Sequence, residues 1–328
     1  AAYFDQVRLL AIDHPADVDI FSNEKVGPPS ISEYYVHTAE DPLLPVAARN
    51  HVGGDLLPLI TAEDDEYAQP HTASYVQGYT HDSYLERALG DRDDPDRFTL
   101  FLTGWLHPTD AAINTALLEN PDLPGPRAPS IQVPGADGEW IEVVSHMGFP
   151  GGKTKTIAVD ISGIFPTDDY RLRIATSMQL CWDHIFFTVN EEQAEYRETD
   201  LALLSADLHF RGVSDRIYHT HNGPERYDYN RVTPTPRYAP MHGAFTRFGD
   251  VRELLTTADD LLCVLGCGDE VTLEFQVPAE PLADGWTRDF ILHSIGWDKD
   301  ANLHTVYGQS VEPMPYRDMT SYPYAPDS

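Results

Sequence analysis

The chain has 328 residues, enough for two ordinary domains or one large β unit with its own core. Hydrophobic residues make up 41% and aromatics 11%, which excludes a disordered or collagen-like polypeptide. With 22 basic against 53 acidic residues the net charge is −31, which predicts repulsion from nucleic-acid phosphates and anionic lipid.

The acidity itself reads as solubility or salt adaptation before it reads as cation binding. No apolar run approaches the roughly 18 residues of a spanning helix, so no membrane insertion is expected. No signal-peptide pattern opens the sequence at Ala1, which predicts a mature product or a fragment.

Taken in chain order, short β-type runs broken by Pro, Gly and Asp dominate. They predict strands over residues 6–12, 18–21, 98–105, 130–133, 140–145, 156–161, 170–176, 183–189, 207–211, 270–277 and 287–294. Leu172 and Ile174 alternate with Arg171 and Arg173, the pattern of a half-buried strand. Asp137-Gly138 predicts a hairpin turn between residues 132–133 and 140–141. Three short helices are expected, over 83–89, 109–118 and 250–260, the last with a capping-box start at Asp250 and Glu253. Three cysteines are too few for a disulfide framework, and Cys181, Cys263 and Cys267 are expected as buried free thiols.

The fold class these patterns predict is mostly β with few short helices. A jelly-roll-like β-sandwich over 96–190 would be flanked by a β-containing region over 1–95. A β-rich α+β region over 196–328 would end in an extended Pro/Tyr tail.

Catalytic motifs are missing. Gly-x-Ser-x-Gly, His-Glu-x-x-His and the phosphate-binding Gly-x-x-x-x-Gly-Lys do not occur, and residues 149–154 read as a hairpin loop. Carboxylate pairs such as Glu139 with Glu142, or Asp160 with Asp183, are available for glycoside hydrolysis, but so acidic a chain guarantees such pairs by number.

The best metal candidate is Asp298-Lys299-Asp300-Ala301-Asn302. Oxygen side chains of Asp298, Asp300 and Asn302 at alternate positions can converge on Ca²⁺ if the loop curls. It departs from the EF-hand, with Leu303 where Gly is needed and Gln309 where a bidentate Glu is needed; the plainer reading is a solvated turn. Residues 91–96, with four aspartates, read as a linker before they read as a cation site. His219 and His221, with His209 and His242 nearby, have metal-type spacing but no fixed third ligand. Trp140, beside a hairpin turn, and Trp297, beside the acidic turn, are the tryptophans placed to stack on a sugar. Most of the five tryptophans sit in apolar strand sequence, where core packing is the default.

Several phrases carry a resemblance: Val7-Arg8-Leu9-Leu10-Ala11-Ile12-Asp13-His14-Pro15-Ala16-Asp17-Val18, residues 160–173 followed by Trp182-Asp183-His184-Ile185, and Tyr227-Asp228-Tyr229. Further ones are Gly249-Asp250-Val251-Arg252-Glu253-Leu254-Leu255, Gly268-Asp269-Glu270-Val271, residues 285–290, Gly296-Trp297-Asp298-Lys299-Asp300 and Val311-Glu312-Pro313-Met314-Pro315. Together they resemble the C-terminal part of large bacterial FG-GAP/VCBS-repeat proteins with an ASPIC/UnbV domain, over most of the chain. The resemblance implies an exported protein, located outside the cell or in its envelope, with an adhesive or assembly role and no assigned active site. The repeats and their calcium loops have no counterpart here. The 96–190 segment also resembles a galactose-binding-like jelly roll, which implies a carbohydrate-binding or structural module.

The expected function is therefore a secreted, non-catalytic module for adhesion, glycan contact or assembly of a larger cell-surface structure. The alternatives are a polysaccharide hydrolase and an accessory subunit of a multi-protein complex.

Overall fold

The computed structural model describes residues 1–28, 34–90, 96–123, 125–218, 222–236 and 240–323. Among them are 22 strands and one α-helix, so the chain is mostly β as its patterns predict. They gather into two units: residues 17–194 with 218–226, and residues 1–16, 195–217 and 227–328.

The first of these units is a sandwich. One sheet runs in the order Trp140–Val144, Ser130–Pro134, Arg171–Met178, Tyr79–Ala88 and Ala47–Asn50, every pair antiparallel. The other is Lys155–Asp160, Phe98–Leu106 and Leu180–Val189. Period-two alternation aims Leu85, Ile131, Val133, Leu172 and Ile174 of the first sheet at Leu100, Leu102, Ile157, Ile185 and Phe187 of the second. The strand Phe98–Leu106 is buried on both faces, which is why it reads as a near-continuous apolar run. On its far side Phe101 stacks on Phe186 with centroids 4.7 Å apart, beneath Phe21 and Ala39.

Local signals were accurate where a turn residue fixes the geometry. Asp137-Gly138 closes the hairpin, with Gly138 at φ +82° and the Glu139 amide donating to Asp137 Oδ1 at 3.1 Å. The helix expected over 109–118 is Ala111–Glu119, started by Asp110, whose Oδ1 accepts the Ile113 amide at 2.8 Å.

Two helix expectations are corrected. Residues 83–89 lie mostly in the strand Tyr79–Ala88, with Ser83, Leu85 and Arg87 buried and Tyr84, Glu86 and Ala88 only partly buried. An arginine on the buried side hides the alternation. Residues 250–260 hold only the single 3-10 turn Arg252–Leu254. The backbone beyond it is drawn out of helix by buried Asp5, whose Oδ1 accepts the amides of Asp259 and Asp260 at 3.0 and 2.8 Å, with Asp260 at φ +64°.

In the second unit the strand Ala2–Pro15 is central. It pairs along one side with Trp286–Asp298, and along the other with Arg197–Leu201 and Cys263–Leu265. Val7, Cys263 and Leu265 pack with Ala206, Leu208, Val251 and Leu255, while Tyr3 and Val264 pack with Leu262, Val311 and Trp297. The Lys299 ammonium fastens the tail by donating to the carbonyls of Ser310, Val311 and Pro313 at 2.9, 2.9 and 3.1 Å. The Val311 carbonyl also accepts the Tyr3 hydroxyl at 2.7 Å. The three thiols are free; Cys181 and Cys263 are buried, whereas Cys267 is exposed. No described helix is long and apolar enough to cross a membrane.

Candidate functional site

The solvent-facing side of the larger sandwich sheet carries Trp140. Register sets Glu142, Gln132, Arg173, Glu86 and Arg49 in one polar row across five strands. The Arg173 guanidinium lies 3.8 Å from the Trp140 ring centroid and 4.0 Å from that of Tyr84, and its Nε donates to Glu86 at 2.8 Å. Arg171 approaches the same indole at 5.7 Å while paired with Asp169. Trp140 is thus half-buried against arginines of its own sheet. Any ligand here would meet an indole already stacked on Arg173, with guanidinium donors beside it.

A second candidate lies at Asp183. The Leu180–Val189 strand bulges between Trp182 and His184, opposite Gly104 and Thr103. Bridges from Thr61 to His184 and from Ala68 to Trp182 lay residues 61–68 alongside it. That stretch brings Glu63, Asp64 and Asp65 towards Asp183, which is only 1% exposed and accepts the Asp64 amide at 3.4 Å. Burial, opposed in part by the Asp64 amide and reinforced by the charges of Asp64, Asp65 and Glu63, pushes the Asp183 carboxyl up to about 6. Tyr67 completes the corner: its hydroxyl donates to Asp65 at 3.2 Å, is in hydrogen-bond contact with Thr154, and is pushed up to about 12, chiefly by burial. Arg226 pairs with Asp65. The sequence flagged Asp183 as one of many carboxylates; its burial and acidic neighbours emerge only from the bulge.

The predicted metal residues are placed in a turn. Asp300 Oδ1 accepts the Asn302 amide at 3.0 Å, and Asn302 Oδ1 accepts the His304 amide at 2.8 Å. Both oxygens therefore cap the turn itself. Asp298 ends the strand Trp286–Asp298, and Trp297 packs on the cluster of Tyr3, Leu262, Val264 and Val311. Among the described residues no three His, Cys, Asp or Glu side chains are grouped to hold a metal ion. His219, His221 and residues 91–95 lie outside the described residues. His209 sits between Asp207 and Glu270, at 3.2 and 3.4 Å.

The strand Trp286–Asp298 presents a further surface. It pairs over its length with Ala2–Pro15, and with no other strand among the described residues. Phe290 and Leu292 stand 55% and 58% exposed on it. The sequence showed the strand but not its edge position, because Phe290-Ile291-Leu292 has the unbroken apolar run of a central strand.

No family model, curated protein or solved structure matches the chain.

Proposed function

We propose that the chain is a non-catalytic contact module of an extracellular or cell-envelope assembly, and that it engages an extended polypeptide segment by strand addition. The observation that supports this is the strand Trp286–Asp298, which is thirteen residues long, paired along one edge, and exposes Phe290 and Leu292. Long edge strands are ordinarily blunted by prolines, inward charges or bulges, because their free amides and carbonyls template further pairing. This one carries no proline, and its exposed positions from 290 to 296 are Phe, Leu, Ser and Gly. The FG-GAP-type resemblance agrees with an assembly role. The net charge of −31 favours a neutral or basic segment as the added strand.

The test is hydrogen exchange on the chain in the complex isolated from its source and on the chain alone. Backbone amides on the open edge of residues 286–298 should gain protection in the complex, and Leu292→Lys should abolish complex formation without lowering the melting temperature. Equal exchange in both samples would overturn the reading.

One observation favours a second reading, hydrolysis of a polysaccharide. A carboxyl held near 6 suits a general acid. A hydrolysis screen with Asp183→Asn as control decides it. Activity lost in the variant would replace the first reading.

A further inference from the structure

Arg87 points into the sandwich core. It is 0% exposed and lies directly between Ala48 and Leu172 of the neighbouring strands, both buried. Leu85 and Leu89, on its own stretch of chain, are buried with it. None of its three guanidinium nitrogens has a hydrogen-bond partner among the described residues. The adjacent carboxylate, Glu86, faces the other side of the sheet and is bonded to Arg173. Burial alone pushes Arg87 down, to about 9, which leaves it charged at neutral pH.

Five N–H donors and a full positive charge in an apolar core cost several kcal/mol unless an acceptor meets them. Water would satisfy the donors but leave the charge uncompensated. The planar fork matches two oxygens of one group along the Nε edge and leaves the second Nη for a third. The side chains beside it, Ala48, Leu85 and Leu172, offer no polar group. We propose that this core holds one small oxyanion, of the carboxylate or phosphate class, against Arg87.

The experiment uses the full chain, dialysed into Tris chloride and then melted in chloride, acetate, phosphate or sulfate at constant ionic strength. A bound oxyanion gives a saturable rise, roughly 5–10 °C at a hundredfold excess over Kd. Comparison of acetate with phosphate distinguishes the two classes. Arg87→Met should melt no lower than wild type in chloride and show no rise. Ion chromatography of the denatured wild-type chain provides a readout that does not depend on the variant folding. One oxyanion released per chain, or a rise that Arg87→Met loses, supports the site. A rise that Arg87→Met keeps, or a wild type that neither shifts nor releases an oxyanion, overturns it.

Discussion

Asp13 and Arg288 sit directly opposite each other on neighbouring strands and share two hydrogen bonds, Nε to Oδ1 at 2.5 Å and Nη2 to Oδ2 at 2.9 Å. Arg197, on the strand at the other side, adds a third at 2.8 Å to Oδ2. One buried carboxylate therefore links three strands of the second unit. The Arg288 hydrogen bonds, opposed in part by burial and reinforced by Arg197, hold the Asp13 carboxyl down at about 2. A depressed carboxyl stabilises the fold above its unfolded value of 3.8, and this contribution is lost as pH falls towards 2. Asp13→Asn should flatten that acid limb and lower the urea midpoint at neutral pH, because it leaves two guanidiniums without their charge partner.

Asp183 has the opposite sign. Its folded value near 6 lies above the unfolded 3.8, so the native state holds the proton more tightly. That stabilisation is complete below about 3.8 and disappears as pH rises through 6. Thermal melts between pH 4 and 8 should show the decline in wild type. Asp183→Asn should melt higher at pH 7 and lack this step.

Gly104 allows the bulge at Asp183. A methyl group there would overlap the Cys181 carbonyl oxygen and stand 2.7 Å from Trp182 Cε3. Both neighbours are held in the strand Leu180–Val189, so neither can yield cheaply. Gly104→Ala is expected to cost about 1–3 kcal/mol by equilibrium unfolding.

Lys299→Met should free the tail while leaving both cores intact. The ammonium loses three carbonyl partners and its place 5.3 Å from the Tyr322 ring. Limited proteolysis should then cut residues 312–323 faster, with far-ultraviolet circular dichroism unchanged. Equal cutting rates in the two proteins would show that Lys299 does not hold the tail.

The legible part of the fold is the part in which side-chain polarity tracks burial. Leu172 and Ile174 against Arg171 and Arg173 gave the strand Arg171–Met178, because each charge faces outward. Arg87 breaks the rule by pointing inward, and the same residue both disguised its strand as a helix and carries the anion proposal. Asp250 and Glu253 had the spacing of a helix start, yet Asp5, about 250 positions away, claims the amides that a helix would need. No local window contains that competition. Trp140 stands out in the sequence for its place beside a turn, whereas the arginines that stack on it read only as the outward half of a strand. The Asp183 corner depends on a bulge and on a loop more than a hundred residues earlier in the chain, so its chemistry is visible only after folding.

The pairing of Ala2–Pro15 with Trp286–Asp298 also bears on biosynthesis. The strand Ala2–Pro15 is synthesised before its longest neighbour, which follows about 280 residues later. At translation speeds of about 5–20 residues per second, that is a delay of roughly 15–60 s. Throughout it Leu9, Leu10, Ala11 and Ile12 have no native cover from that strand. Slower synthesis would lengthen that interval, during which a holdase could shield those four side chains from aggregation.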